Sequence, residues 1–227
     1  MIDLGAFGGI FVCMASFFLG KEIQKRTKSV LANPIILAVC FILIGLSVLP
    51  IEYEAFIKST ELLTSLLTPA TIALAVPLYK NLAKLRTDIT PILVGVSSGV
   101  FVNLLSILLV AKLLRLSYSE YITFLPKSIT TAIGITIAED FGGLVGIASP
   151  IIIFTGIYGS IVSDLVIRKC RLTHRIAKGV CIGTAAHAIG TAKAMESGET
   201  EGAASSFSLI VSGILTVLLA PLFAGLF

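Results

Sequence analysis

Two clusters of small polar residues carry most of the chemistry legible in this chain. The first is Ser128, Thr130 and Thr131, closed by Gly134; the second is Thr184, His187 and Thr191, with Gly190 between them. Hydroxyls and an imidazole supply hydrogen-bond donors, and glycine lets a ligand approach the backbone. A helix that starts at such a place presents free N–H groups and the positive end of its dipole. That combination is the chemistry of an anion site. Plotted at 100° per residue, Thr184, His187 and Thr191 fall within about 60° of one another, which predicts one narrow polar face on a continuous helix. Ser128 and Thr131 repeat the i, i+3 spacing of Thr184 and His187. These eight residues are the candidate substrate-binding set. His187 is also the candidate for proton coupling, because imidazole titrates near neutral pH and ionisable groups inside membranes mark function by default. The structural alternative for His187 is a hydrogen bond to a neighbouring helix.

The elements that must position these residues are apolar. The chain is 56% hydrophobic and 13% charged, with a mean hydropathy of +1.02. Soluble domains carry about a quarter charged residues, so the composition predicts an all-α polytopic membrane protein. Apolar segments fall at 4–20, 34–50, 60–79, 90–111, 125–138, 144–167, 176–195 and 205–227. No alternating pattern of β-barrel type accompanies them. The first, MIDLGAFGGIFVCMASFFLG, carries Asp3 and runs directly into KEIQKRTK, so it reads as a span rather than a signal peptide. Cys13, Cys40, Cys170 and Cys181 lack metal-type spacing and read as packing residues.

Loop charge constrains the topology. Residues 21–28, the loop with Lys80, Lys84 and Arg86, and the loop 168–178 are basic and are expected on the cytoplasmic side. Loop 51–61, with three glutamates and one lysine, fits the outside. If every apolar segment crossed, 168–178 would fall outside. The conflict disappears if segment 125–138 enters and leaves on one side, as short segments of re-entrant type do. Lys112 and Arg115 then lie externally, near Glu120. The expected architecture is about six full transmembrane helices plus two re-entrant or broken segments, in one integral membrane domain over 1–227. Within it, 1–124 forms N-terminal helices and 125–227 a repeat core.

The repeat is visible at an offset of 56 residues. TTAIGITIAEDFGG (130–143) lies on AHAIGTAKAMESGE (186–199), with Ala132-Ile133-Gly134 over Ala188-Ile189-Gly190, Ala138 over Ala194, Gly142 over Gly198, and Thr131 over His187. Each copy is a short polar-headed segment followed by one full span. Two re-entrant segments then place the copies in opposite orientations, as in transporters whose substrate lies at the interface of inverted repeats.

Secondary candidates are Lys127, Asn103 and Asp164. Lys127 either snorkels to the interface or reaches an anion, and Asp164 is expected to pair with Arg168 one turn away. Lys193 with Glu196, and Glu199 with Glu201, read as an interfacial charged turn. Walker A, HExxH, GxSxG and paired-cysteine metal motifs are absent, so neither enzyme nor cofactor nor metal is expected.

At these residues the chain resembles the LrgB/CidB membrane proteins, which include the plastid glycolate/glycerate translocator. The resemblance rests on LPKSITTAIGITIAEDFGG, on RIAKGVCIGTAAHAIGTAKAMESGETEGAASSFS and on GILTVLLAPL; it is dense over 125–221 and looser but collinear through NPIILAVCFILIGL and LTPATIALAVPLYKN. Ala185-Ala186 departs from it, since small hydroxyl residues are usual before the histidine. The resemblance implies either of two functions and supplies no agreed site residues. One is transport of a small monocarboxylate such as pyruvate or glycolate. The alternative is antiholin-like regulation of murein hydrolase export and autolysis beside a holin-like LrgA/CidA partner. A bacterial plasma membrane is the expected location. The expected partners are the lipid bilayer, a small carboxylate, that holin-like protein and further copies of the chain, with no nucleic acid.

Overall fold

A computed structural model describes residues 5–27, 33–73 and 75–227. Leu4, Lys28 and Leu74, which belong to expected spans or to the first basic run, lie outside the described residues. Every regular element among the described residues is a helix. The chain divides into two compact units, Met1–Ala73 and Leu74–Phe227.

The first unit holds α1 (Gly5–Thr27), α2 (Pro34–Val48), α3 (Tyr53–Ser59), α4 (Glu61–Ser65) and α5 (Leu67–Ala73). Asn33 starts α2 by accepting from the Ile35 N–H at 2.9 Å, and Pro34 follows in the first turn, where no N–H is needed. Gly20 of α1 lies against the Pro34 backbone, where a Cβ would come within 2.8 Å of the carbonyl oxygen. The apolar run 60–79 is cut into short helices. Pro69 falls in the first turn of α5, and Pro77 in the first turn of α6 (Ala75–Arg86) in the second unit. A proline is tolerated in a first turn but breaks a helix interior, so one straight span is not available to this stretch.

The second unit adds α7 (Ile89–Leu114), α8 (Tyr118–Phe124), α9 (Thr131–Asp140), α10 (Val145–Lys169), α11 (Arg175–Ser197) and α12 (Glu199–Ala224). Helices α7, α10 and α12 are long and apolar enough to cross a bilayer, and α2 is a shorter apolar helix. The protein is an all-α membrane protein. On α7, Ile92, Val96, Val100, Leu104, Leu108 and Ala111 recur at three- and four-residue steps and are buried. Phe101, Leu105 and Leu109 are exposed, as an outward apolar face in lipid requires.

Segment 118–144 makes an excursion that closes on itself. Ser119 Oγ donates to the Gly142 carbonyl at 2.9 Å, and the Leu144 N–H donates to Thr123 Oγ1 at 2.8 Å. The chain therefore returns to where it left. The returning limb, α9, has 10 residues, or about 15 Å at 1.5 Å per residue, against a hydrocarbon core of about 30 Å.

Helix α11 makes the second excursion. His187 has φ 41° and ψ −134°, which breaks α11 into limbs over 175–186 and 188–197. The second limb folds back on the first: a Cβ at Gly190 would lie 3.1 Å from the Ile182 carbonyl oxygen. In a straight helix those residues would be about 12 Å apart. At the open end Arg175 Nε lies 3.8 Å from Glu201 Oε1, so the start of α11 and the start of α12 share one face of the unit. Limbs of about 18 Å and about 15 Å again reach half the hydrocarbon thickness.

These closures set the directions of the long helices. Helix α10 ends in the basic turn that opens α11, and α12 leaves from that same face, so α10 and α12 run antiparallel. At the far face Tyr121 Oη donates to the Phe223 carbonyl at 2.9 Å, and Lys112 Nζ donates to the Leu226 carbonyl at 2.9 Å. Lys112, unexpected by charge counting, satisfies a carbonyl at the chain's end. The 56-residue offset carries α9 onto 187–196 and α10 onto 201–225, within two residues of the second limb of α11 and of α12. The repeat is structural, and its copies are inverted.

Candidate functional site

The tips of both excursions meet along α7. Gly95 and Gly99 of α7 face Val180 and Thr184 of α11, with a Cβ at Gly99 falling 2.9 Å from Thr184 Cγ2. One turn further along α7 the first limb of α11 has ended, and the tip of the first excursion takes its place. There Lys127 Nζ donates to Asn103 Oδ1 at 2.7 Å and approaches Ser128 Oγ at 3.2 Å, while Ser128 Oγ donates to Asn103 Oδ1 at 3.2 Å. Asn103 lies 14 residues into the 26-residue α7, close to its midpoint. Helices α7 and α11 and the first tip enclose a cleft of about 360 Å³, lined by Asn103, Lys127, Ser128, Cys181 and Thr184 with apolar neighbours including Val102 and Val180. Thr184 Oγ1 is buried without a hydrogen-bond partner.

His187 and Thr191 face away from this cleft. The break at His187 ends the continuous helix that would have placed Thr184, His187 and Thr191 on one face, so that expectation is corrected. The His187 ring is 2% exposed, packs on Gly156 of α10, and lies with Nε2 2.9 Å from the Ile152 carbonyl. A carbonyl only accepts, so Nε2 carries the proton. Thr191 Oγ1 donates to the His187 carbonyl at 2.8 Å and lies 2.9 Å from Ser205 Oγ of α12. Thr191 has one hydroxyl proton, so Ser205 is the donor in that pair. These three residues hold the turn of the second excursion. Gly190 serves the same turn through its contact with Ala186. Gly134 of α9 packs on Ile152. Thr130 precedes α9 as its N-cap without a side-chain capping bond, and Thr131 is half-buried in the first turn.

Three other expectations are corrected by the fold-back of α11. Asp164 pairs with Lys193 rather than Arg168, at 2.7 Å between Nζ and Oδ2, because the second limb returns beside α10. Lys193 therefore bonds across helices and is not part of an interfacial turn. Glu201 is 6% exposed, with Oε2 buried and unpartnered. The carboxylate lies against Gly198, while Gly179 packs on the Glu201 backbone. Among the four cysteines, all free thiols, Cys40 and Cys170 are exposed rather than packed. No group of three or more metal-type ligands occurs among the described residues.

A cation, an amide and a hydroxyl meet at the junction of the two excursions, with Thr184 lining the same cleft. The sequence profile of the LrgB-like family matches residues 13–226. The chain belongs to the LrgB-like family. It is 33% identical to the holin-like protein CidB of Staphylococcus aureus (strain N315) over 218 residues, covering 96% of this chain and 95% of that protein. The holin-like protein CidB of Staphylococcus epidermidis (strain ATCC 12228) shows the same identity and coverage. The antiholin-like protein LrgB of Bacillus cereus (strain B4264) is 33% identical over 216 residues, 95% of this chain and 94% of its own. No solved structure matches the chain.

Proposed function

We propose that the protein acts in a holin-like and antiholin-like membrane system of the kind for which its relatives are named, and that its molecular task is to pass a small monocarboxylate such as pyruvate or glycolate. The first part rests on the names of relatives that match nearly end to end. In that role it regulates murein hydrolase export and autolysis from a bacterial plasma membrane, beside a holin-like partner of the LrgA/CidA type. The second part rests on one observation: Lys127 stands at the junction of two inverted excursions, bonded to Asn103 and Ser128 rather than to an acid. His187 acts in this reading as the backbone turn of the second excursion, and alternating access rocks one repeat against the other.

The two parts separate experimentally. Uptake of labelled pyruvate, lactate and glycolate is measured in proteoliposomes of the full chain, with and without a co-reconstituted holin-like partner. Uptake above empty liposomes is expected. A folded preparation that moves none of them under either condition removes the transport part. Deletion of the gene should alter the rate of detergent-triggered autolysis; an unchanged rate removes the regulatory part.

A further inference from the structure

The cleft beside Lys127 lacks the one thing its charge calls for. Among the described residues no carboxylate comes within ion-pair distance of Lys127; the ion pairs of the unit involve Arg175 with Glu201 and Lys193 with Asp164. The remaining acids of the second unit lie at the two faces: Glu120, Glu139 and Asp140 near one, Asp88, Glu196 and Glu199 near the other. A half-buried ammonium beside mid-helix apolar surface is costly unless an anion joins it. Thr184 lines the same cleft, with its Oγ1 buried beneath the surface and without a partner. Unsatisfied hydroxyls of that kind are uncommon and call for an explanation. A lysine without an acid partner, at the end of a cleft with apolar walls, describes a place for a guest.

We infer that the cleft formed by Asn103, Lys127, Ser128 and Thr184 binds one small monocarboxylate, with Lys127 as its counter-charge. One lysine neutralises one negative charge, so a dianion would leave an excess charge in the same apolar surroundings. Val102, Val180 and Ala185 supply a wall for a short carbon body, which an inorganic anion would not use. Gly95, Gly99, Val180 and Cys181 continue the cleft along α7 and α11 toward the face that carries loop 168–178, so the ligand enters from the basic side. Asn103 and Ser128 act as positioning residues that hold the ammonium at the tip.

This inference deepens the transport reading but is tested at equilibrium, without flux. The full chain in detergent micelles is assayed for saturable binding of radiolabelled lactate by scintillation proximity, with acetate, chloride and phosphate as competitors at constant ionic strength. The wild-type chain should bind lactate, and acetate should displace it. Lys127→Gln should weaken binding at least tenfold. Asn103→Asp should do the same by placing an internal carboxylate where Oδ1 now lies. Lys112→Gln, whose lysine bonds at the far end of α7, should bind as wild type. Monodisperse elution and an unchanged unfolding midpoint qualify each variant, and the inference stands or falls on whichever of Lys127→Gln and Asn103→Asp folds. Absence of saturable binding by the wild type overturns it, as does wild-type affinity in the folded variants. Displacement by chloride or phosphate as effective as by acetate overturns the carboxylate assignment. Binding without uptake would remove the transport reading and leave the site, whereas uptake untouched by Lys127→Gln would remove the site and leave transport.

Discussion

The turn of the second excursion makes an asymmetric prediction about two buried hydroxyls. Thr191 Oγ1 donates to the His187 carbonyl and accepts from Ser205 Oγ, and both side chains are fully buried. Thr191→Val keeps the shape but removes two hydrogen bonds and leaves a buried O–H and a buried carbonyl without partners. Single hydrogen bonds within membranes contribute about 0.6 kcal/mol on average, and an orphaned buried group costs about 1–3 kcal/mol. The expected loss is therefore about 2–3 kcal/mol. Ser205→Ala removes one donor and leaves Thr191 bonded to the His187 carbonyl, with only an acceptor lone pair unfilled. Its expected loss is about 0.5–1 kcal/mol. The double variant should lie close to Thr191→Val alone, giving a coupling of about 1 kcal/mol. Reversible unfolding in mixed micelles titrated with a denaturing detergent measures all four proteins. If Ser205→Ala costs as much as Thr191→Val, or if the effects simply add, the donor assignment and the fold-back contact it rests on are wrong.

Two further outcomes test the backbone and the directions of the helices. His187 sits at φ 41°, where a β-carbon is strained, so His187→Gly should be more stable than His187→Ala by about 1 kcal/mol in the same titration although both lose the ring; the reverse order would show that the turn is unstrained. Single-cysteine proteins bearing Cys170, Ser117→Cys or Asp140→Cys, all at exposed positions, should divide on labelling with a membrane-impermeant maleimide. Residues 117 and 140 should react only from the outside and 170 only from the cytoplasm, and labelling of all three from one side would dismiss the inverted repeat.

Much of this arrangement was legible in the chain because it is written in residue size and loop charge. The Ala-Ile-Gly text repeated at 132–134 and 188–190 marks two helices that need close contacts, and those helices occupy corresponding places. The basic turn at 168–178 required an even number of crossings between it and the preceding basic loop, which is what a closed excursion allows. A break in the second segment was expected, but its place at His187 was not legible, because non-glycine residues at positive φ are uncommon and histidine's enrichment there is too weak to mark one position. One unseen turn then misdirected several readings. Thr184 separated from His187 and Thr191, and Asp164 met Lys193 rather than the nearer Arg168. Asn103 read as a lone amide in an apolar run until the first excursion brought Lys127 to it. Glu201 is enclosed by Gly198 at its carboxylate and by Gly179 of the first limb at its backbone, and the second contact has no local signal.

The glycine face of α11 also bears on how the protein is made. Gly179 lies on the backbone of Glu201 and Gly183 on that of Ser205, so the first limb of α11 has no partner for its flattest surface until α12 has been synthesised. The second limb waits as well, since Thr191 is secured to Ser205. During translation residues 175–197 therefore leave the ribosome as a segment with no finished place in the bilayer. Insertion of this core waits on α12, which emerges after α11 and admits it. A chain released just after Gly198 would retain the whole second excursion in its sequence and lack the surface that folds it.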